Sequence, residues 1–587
     1  MTTHRPGVAH RSGARRRGPV LLAALAALVT GAAGCAAIPE TSQVIPIGAP
    51  VSATADASAP GPIEDADPLT VVRDFISTAD LPANGHAAAR AYLTDEAARS
   101  WDDEAPVTVI DSGFGTGYSI NTGAAADEYV QVRLRAQKVG TLGPDGAFSS
   151  NRDTITPTMD LVRVNGQWRI SQLPAGLLIT LIDFRSSYRS IGVSFLDQAR
   201  ATLVVDRRWM PTKPEANWYG RTIDMLLAGP SEAAVGLVNL LEGAVVHTNV
   251  VPGESGALTV DLTGLPDLSE EDRRRAGAQI VNSLREVWNE RVRIVVDGAT
   301  LLPNKNDWSV PDALPYQPPD TVKPDLPALA VAGGRLVRVE GDDRAVAGPA
   351  GDGSLVVRSA AQSLNGELLA LVTEEAGLPR LYVGPPASPQ PVTLQASRMT
   401  RPTWRAGPTA EVWTVLDNKV GVGVLRTQGG ELRQYGIDLN ELSVKGRITE
   451  LRLSRDGVRA AAVVDGALYM AVVVGSGSDT RVVNPRLLVG PAAPQIADVD
   501  WKGPQRVVVA GTSRDTPYVY DVSIDGLEWN DYGNTNLAGP VTGIAAAASG
   551  RRVYVSDAAG LWYATSTNDV AWYSTIAGLV TDPLYPG

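Results

Sequence analysis

The feature that most restricts the fold is a repeat in the C-terminal half. From residue 328 onward a glycine-marked turn recurs: Ser363-Leu-Asn-Gly366, Trp404-Arg-Ala-Gly407, Ser454-Arg-Asp-Gly457, Trp501-Lys-Gly503 and Ser549-Gly550. The glycines stand 41, 50, 46 and 47 residues apart. Each turn leads into a strand-like run, such as Glu367-Leu-Leu-Ala-Leu-Val372 or Arg506-Val-Val-Val-Ala510. A second run with an aromatic edge follows, as at Leu468-Tyr469 and Leu561-Trp562. A period near 46 with about four short strands per unit is the pattern of a β-propeller blade. Six blades are expected, or seven if 390–403 or 475–495 hide further strands. The segment Asp582-Pro-Leu-Tyr-Pro-Gly587 begins a new unit, and the rest of that unit stands at Ala328-Leu-Ala-Val331 and Arg335-Leu-Val-Arg-Val339. The expectation is a ring closed by one blade shared between the two ends of 328–587, which removes an exposed sheet edge.

The N-terminus carries a different signal. Arg5, Arg11 and Arg15-Arg16-Arg17 precede the apolar run Val20 to Val29, and the small residues Ala32-Ala33-Gly34 lead into Cys35. Charged start, short apolar core and small-residue cleavage site form a bacterial signal peptide over 1–34. The apolar run is too short to cross a bilayer core of about 30 Å. Cys35 at the cleavage point resembles a lipobox cysteine, and that resemblance implies a diacylglyceryl and palmitate anchor on the new N-terminal residue. Ala32 stands where the usual lipobox has Leu. Residues 36–67 are rich in Pro, Ala, Ser and Thr and hold no aromatic residue, so 35–67 is expected to be a lipidated N-terminus and tether. As a coil its length is roughly 30 Å.

Charge and residue usage exclude several functions. The chain holds 52 Lys plus Arg and 64 Asp plus Glu. Removing 1–34 takes away five Arg and no acid, leaving 47 − 64 = −17. Such a body is unsuited to nucleic acid, which needs a positive face. Cys35 is the one cysteine, so no disulfide, thiolate ligand or cysteine nucleophile is expected in the body. No histidine follows His247, so the propeller lacks the usual acid–base and metal-ligating side chains. No cofactor and no metal are expected, and the chain is not expected to be an enzyme.

Two mixed units precede the repeat. The first, over 68–190, opens on Asp67-Pro68 with Leu69, Val72, Phe75 and Ile76 at helical spacing. A second helix is expected to carry Tyr92, Leu93, Ala97 and Trp101. Strand patterns follow, with Asn165-Gly166 as a hairpin turn. Helices followed by an antiparallel sheet resemble the α+β folds of the NTF2-like type. In relatives of that fold the cone can hold an acid–base pair. His86 and Asp102-Asp103-Glu104 are the candidates here, and a surface placement is expected for both. The second unit, over 194–302, has strands at 201–205, 258–262 and 292–296 and helices at 218–228 and from the cap Ser269. The ordered matches Leu226-Leu-Ala-Gly-Pro230, Leu258 to Leu262, Ile280 to Leu284 and Val292 to Gly298 resemble the α/β GerMN domain. That resemblance implies an assembly module without catalytic residues. The run Glu270 to Arg275 is expected to be solvated helix surface, His247 a strand residue and Asp456 a turn residue. Pro-rich 303–327 is expected to be a linker.

The order of parts resembles the actinobacterial LpqB lipoproteins: lipobox cysteine, NTF2-like unit, GerMN-like unit, and a propeller ending in P-x-Y-P-G. The resemblance implies a lipid-anchored protein on the extracytoplasmic face of the cell membrane. It also implies a partner, the extracellular domain of an MtrB-type sensor histidine kinase paired with an MtrA-type response regulator. Envelope homeostasis and cell division would be affected. Of the residues, Cys35 transfers as the lipid site. An alternative of a different class is a binding module for cell-wall glycan or peptide. Aromatic side chains clustered at the channel mouth would favour it. A carboxylate-dependent glycosidase would need two acids facing each other in the channel.

Overall fold

The computed structural model describes residues 61–587 apart from 83–84, 120–127, 254–255, 319–325, 342–343, 408, 491–494, 548–551 and 570. The expected signal peptide, Cys35 with Ala32, Ala33 and Gly34, and the tether up to residue 60 lie outside the described residues. The last part of the expected tether belongs to the folded body: the Asp65 amide donates to Gln167 Oε1 at 2.8 Å, and Asp67 caps the first helix. Among the described residues no helix is long and apolar enough to cross a membrane.

In the first unit, helix Pro68–Thr78 starts where Asp67 accepts from the amides of Leu69 and Thr70, with Pro68 in the first turn. Val71, Val72, Phe75 and Ile76 face the core. The sheet runs in the order Gln167–Gln172, Thr158–Val164, Tyr129–Leu142, Val107–Ile110, Leu178–Thr180. Asn165 and Gly166 both have positive φ, at 51° and 80°, as a two-residue hairpin requires. The expected second helix is broken into Ala87–Arg90 and Asp95–Ser100. The physical reason is Thr94, whose amide donates to the Ile170 carbonyl and whose hydroxyl caps a new helix.

The second unit is a βαβ arrangement. Leu258–Thr263 and Val292–Val296 pair in parallel, and helix Glu270–Leu284 joins them. Helix Trp218–Leu227 packs against it and stops at Gly229, whose φ is 89°. Part of the expected linker 303–327 belongs to the second unit instead. Asp307–Trp308 pairs with Val292–Val296, and the 3₁₀ turn Val310–Tyr316 lies on Glu270–Leu284. Burial of Trp308 drives this docking: its ring packs against Gly277, where a side chain would come within 2.4 Å of it.

The C-terminal part is a β-propeller. Among the described residues it has five four-stranded sheets and one three-stranded sheet. In the latter, Leu329–Ala332 pairs with both Arg335–Arg338 and Val580–Leu584, so the two ends of the domain share one blade, as the repeat implied. The inner strands are Val357–Gln362, Thr403–Arg405, Ile448–Leu453, Ile496–Gly503, Gly543–Ala546 and Val580–Leu584, and they follow one another around a ring. The apolar layers lie between blades, as where Trp413 and Ile437 meet Leu451 and Ala462. Strand Arg459–Val464 is buried on both faces, and its three alanines let neighbouring blades approach closely.

Replacing Gly277 by Ala should push Trp308 from its seat and destabilise the protein by about 1–3 kcal/mol. Equilibrium denaturation monitored by tryptophan fluorescence should show a lowered midpoint; an unchanged midpoint would mean Trp308 does not anchor 307–316.

Candidate functional site: a charged channel core and an interdomain hub

Hairpin 188–211 joins the units. Its strands, Tyr188–Leu196 and Leu203–Pro211, run across the boundary expected at 190–194. Tyr188 and Trp209 belong to the first core, whereas Ile191, Phe195 and Met210 belong to the second. Arg208 is fully buried in the hairpin. Its guanidinium donates to Asp206 Oδ2 at 2.7 and 2.9 Å, to the Asp145 carbonyl at 2.6 Å and to the Gly229 carbonyl at 2.9 Å. Asp206 also accepts from the Ser231 amide and hydroxyl, both at 2.9 Å. One ion pair thus ties the first unit, the hairpin and the second unit together.

The same hairpin docks the propeller. Trp209 Nε1 donates to buried Asp525 at 2.9 Å, and Arg207 lies over the Trp209 ring while pairing with Asp525 and Glu528. Arg459 and Gln505 both donate to the Val205 carbonyl. Leu527 of the propeller is buried within the core of the first unit. Further bonds run from Arg152 to the Val489 carbonyl and from the Gly475 amide to Gln198. These contacts fall mainly on loops joining first to second and third to fourth strands of the blades, which lie at one end of the propeller.

The channel is crossed by charge. Arg401 lies between Asp498 at 3.5 Å and Asp582 at 3.8 Å and donates to the Pro583 carbonyl at 2.8 Å. Arg452 pairs with Glu450 at 2.7 Å and Asp498 at 3.4 Å, and donates to the Arg401 carbonyl. The carboxylates also hold neighbouring inner strands: Asp498 accepts from the Ile544 amide, Asp500 from Ala546 and Asp582 from Ala360, at 2.8–2.9 Å. Arg455 donates to the Trp501 and Ala546 carbonyls. Burial alone would lower the Arg401 pKa, but Asp498 and Asp582 outweigh it, and the pKa is raised. Burial raises Glu450, against the pull of Arg452. Burial also pushes Asp582 up to about 6, against the pull of Arg401. The structure therefore brings acids together in the channel, but each is engaged with arginine or backbone amides. This arrangement clamps the ring rather than framing a sugar between two free carboxyls.

The residues singled out from sequence stand as follows. His86 is buried, which corrects the surface placement. It has φ 57°, packs edge-on against Trp101, and its Nδ1 has no hydrogen-bond partner among the described residues. Burial lowers its pKa. Asp103 pairs with Arg90 at 2.9 Å and Asp102 accepts from the amides of Glu104 and Ala105, so neither forms a pair with His86 suited to proton transfer. His247 follows strand Val245–Val246, exposed, with Nδ1 3.0 Å from Asp261. Asp456 is a turn residue and also pairs with Arg459 at 3.0 Å. Arg274 and Arg275 pair along the helix with Glu270 and Asp272. No group of three or more metal-ligating side chains is found among the described residues.

Family models match three consecutive stretches: "Lipoprotein LpqB, N-terminal domain" over 61–185, "Sporulation and spore germination" over 193–302, and "Lipoprotein LpqB beta-propeller domain" over 334–586. Lipoprotein LpqB of Rhodococcus opacus (strain B4) is 30% identical over 98% of this chain and 99% of its own. The chain belongs to the LpqB lipoprotein family. The LpqB lipoprotein of Nocardia farcinica (strain IFM 10152) is also 30% identical, over 97% of this chain and 98% of its own. That of Mycolicibacterium smegmatis is 29% identical, over 94% and 95%. Among solved structures, the Myceliophteria_thermophila Cps50 (Swd1) beta-propeller domain aligns at 11% identity and a TM-score of 0.29, over 41% of this chain and 93% of that one. That likeness is too slight to bear on function.

Sequence reasoning missed both the hub and the channel charges in this LpqB family member. A signal was present: Glu450-Leu-Arg-Leu453 and Asp498-Val-Asp-Trp501 alternate charge with apolar residues on first strands. Alternation of this kind in an inner strand marks a channel-facing side.

Two outcomes follow. Arg208→Met leaves Asp206 buried without its counter-charge and should cost about 3–5 kcal/mol, measured by chemical denaturation against Arg433→Met at an exposed ion pair. The second concerns pH. A carboxyl whose folded pKa lies above its unfolded value stabilises fully below the unfolded pKa, and this stabilisation is lost as pH rises through the folded value. Between pH 4 and about 6 the Asp582 contribution should therefore decline. Calorimetry at pH 4.5 and 7.5 should show a smaller fall in Tm for D582N than for the parent; parallel profiles would contradict the assignment.

Proposed function

We propose that this chain is a lipid-anchored extracytoplasmic accessory regulator of a sensor histidine kinase, acting by binding rather than by catalysis. Acylated Cys35 holds it to the cell membrane, and the 36–60 tether sets its reach. Envelope homeostasis and cell division are the processes affected. Membership in a lipoprotein family along nearly the whole chain supports the anchor. The observation that carries the regulatory reading is the interlock of the three units at hairpin 188–211. A body locked in this way presents a surface of fixed shape to a partner. Such a surface biases a kinase between signalling states by binding one state more tightly than the other. The kinase's extracellular domain is the partner of this reading.

The test is in-cell crosslinking of the intact protein followed by mass spectrometry, beside a Cys35→Ser control. Crosslinks to the extracellular domain of a sensor kinase, reduced in the control, are expected. Crosslinks confined to wall-synthesis proteins, or none at all, would overturn the reading.

A further inference from the structure

The propeller has a second end, away from the hub. There the loops joining second to third strands, and fourth strands to the next blade, come together. An open cleft of about 410 Å³ lies among them, bounded by Arg358 and Glu374 of one blade, Ser397, Arg398 and Asn418 of the next, and Thr449 of the third. That volume falls within the range of small-ligand sites.

Three observations mark it as built to bind. Arg358 and Thr449 are each the extra residue of a β-bulge at the start of an inner strand, where the ladder shifts between Val357 and Ser359 and between Ile448 and Glu450. Bulges turn a side chain out of the regular alternation and recur beside binding sites. Second, the cleft holds an arginine whose guanidinium donates no hydrogen bond among the described residues. Arg358 pairs with Glu374, whereas the exposed Arg398 guanidinium has no hydrogen bond and no ion pair within 4 Å among the described residues, although its charge acts on Asp417. The neighbouring Asp417 has its hydrogen bonds elsewhere: it accepts from the Ser397 hydroxyl and amide and from the Arg398 amide, and these bonds, with the Arg398 charge, hold its pKa low. Third, the apolar part of the lining is Val372, Pro379 and Met399, with no aromatic ring. Sugar rings are commonly held by stacking on aromatic faces, so the lining suits a peptide better than a glycan.

We infer that this cleft binds a short peptide through a free carboxylate, with Arg398 as the carboxylate-binding residue. Guanidinium–carboxylate pairing supplies directional, charge-assisted bonds. Asn418 offers a side-chain amide to the peptide backbone, and Thr449, whose hydroxyl donates to the Val463 carbonyl, offers an oxygen that can accept a peptide N–H. The inference does not rest on the kinase reading.

The test uses the full-length protein in detergent. The probes are twenty N-acetylated tripeptides, one for each C-terminal residue type, and their C-terminal amides, followed by saturation-transfer NMR and titration. At least one free acid should bind, its amide at least tenfold more weakly. Arg398→Ala should weaken binding at least tenfold without changing Tm, and Arg433→Ala should leave binding unchanged. Failure of all twenty acids to bind, equal binding of acid and amide, or binding indifferent to Arg398→Ala would overturn the inference. Crosslinking of the kinase domain to an Arg398→Ala protein separates this site from the regulatory contact.

Discussion

The Arg208–Asp206 pair is the interaction on which the rest of the body depends. It lies in a single hairpin that contributes to two cores and carries the docking contacts for the propeller. A buried ion pair is a weak source of stability in itself, because removing both charges from water costs nearly what their attraction returns. Its value here is positional. The guanidinium can satisfy the carbonyls of Asp145 and Gly229 only when both units are seated on the hairpin. Loss of either seat leaves charge in a dry environment. Joining the units therefore becomes closely coupled to folding them.

The propeller follows the same principle at its centre. Six short inner strands converge on an axis where regular sheet hydrogen bonds cannot link one blade to the next. Side-chain carboxylates make that link, accepting amides from neighbouring inner strands while arginines hold the carboxylates in place. The protein thus has two charged cores, one joining units and one joining blades. The ends of the propeller are left with different tasks: one is covered by the hub, and the other presents its loops.

Much of the architecture was legible from sequence because it rests on local chemistry. The cap at Asp67, the turn at Asn165-Gly166 and the stop at Gly229 are written in residue types whose backbone preferences act over a few residues. The 46-residue period likewise reports a repeated local unit. The errors came where distant contacts outweighed local pattern. Thr94 breaks the expected helix because its amide reaches Ile170 in the sheet. Residues 307–316 have linker-like composition, yet Trp308 finds a glycine on a helix to pack against. His86 resembles a loop residue until Trp101 covers it.

Sequence by itself determined the order of the parts, the propeller repeat with its shared closing blade, and the lack of histidine and cysteine chemistry in that repeat. These are properties of residue type and spacing, and they hold whatever the chain packs against. Only the tertiary structure decided which charges are buried together, which propeller face the other units cover, and where an unpaired arginine borders an open cleft. Arg208 and Asp145 are 63 residues apart, and Arg401 and Asp582 are 181 apart. No local preference encodes such pairings; they arise because burying apolar surface brings the charges together, and a buried charge then requires a partner.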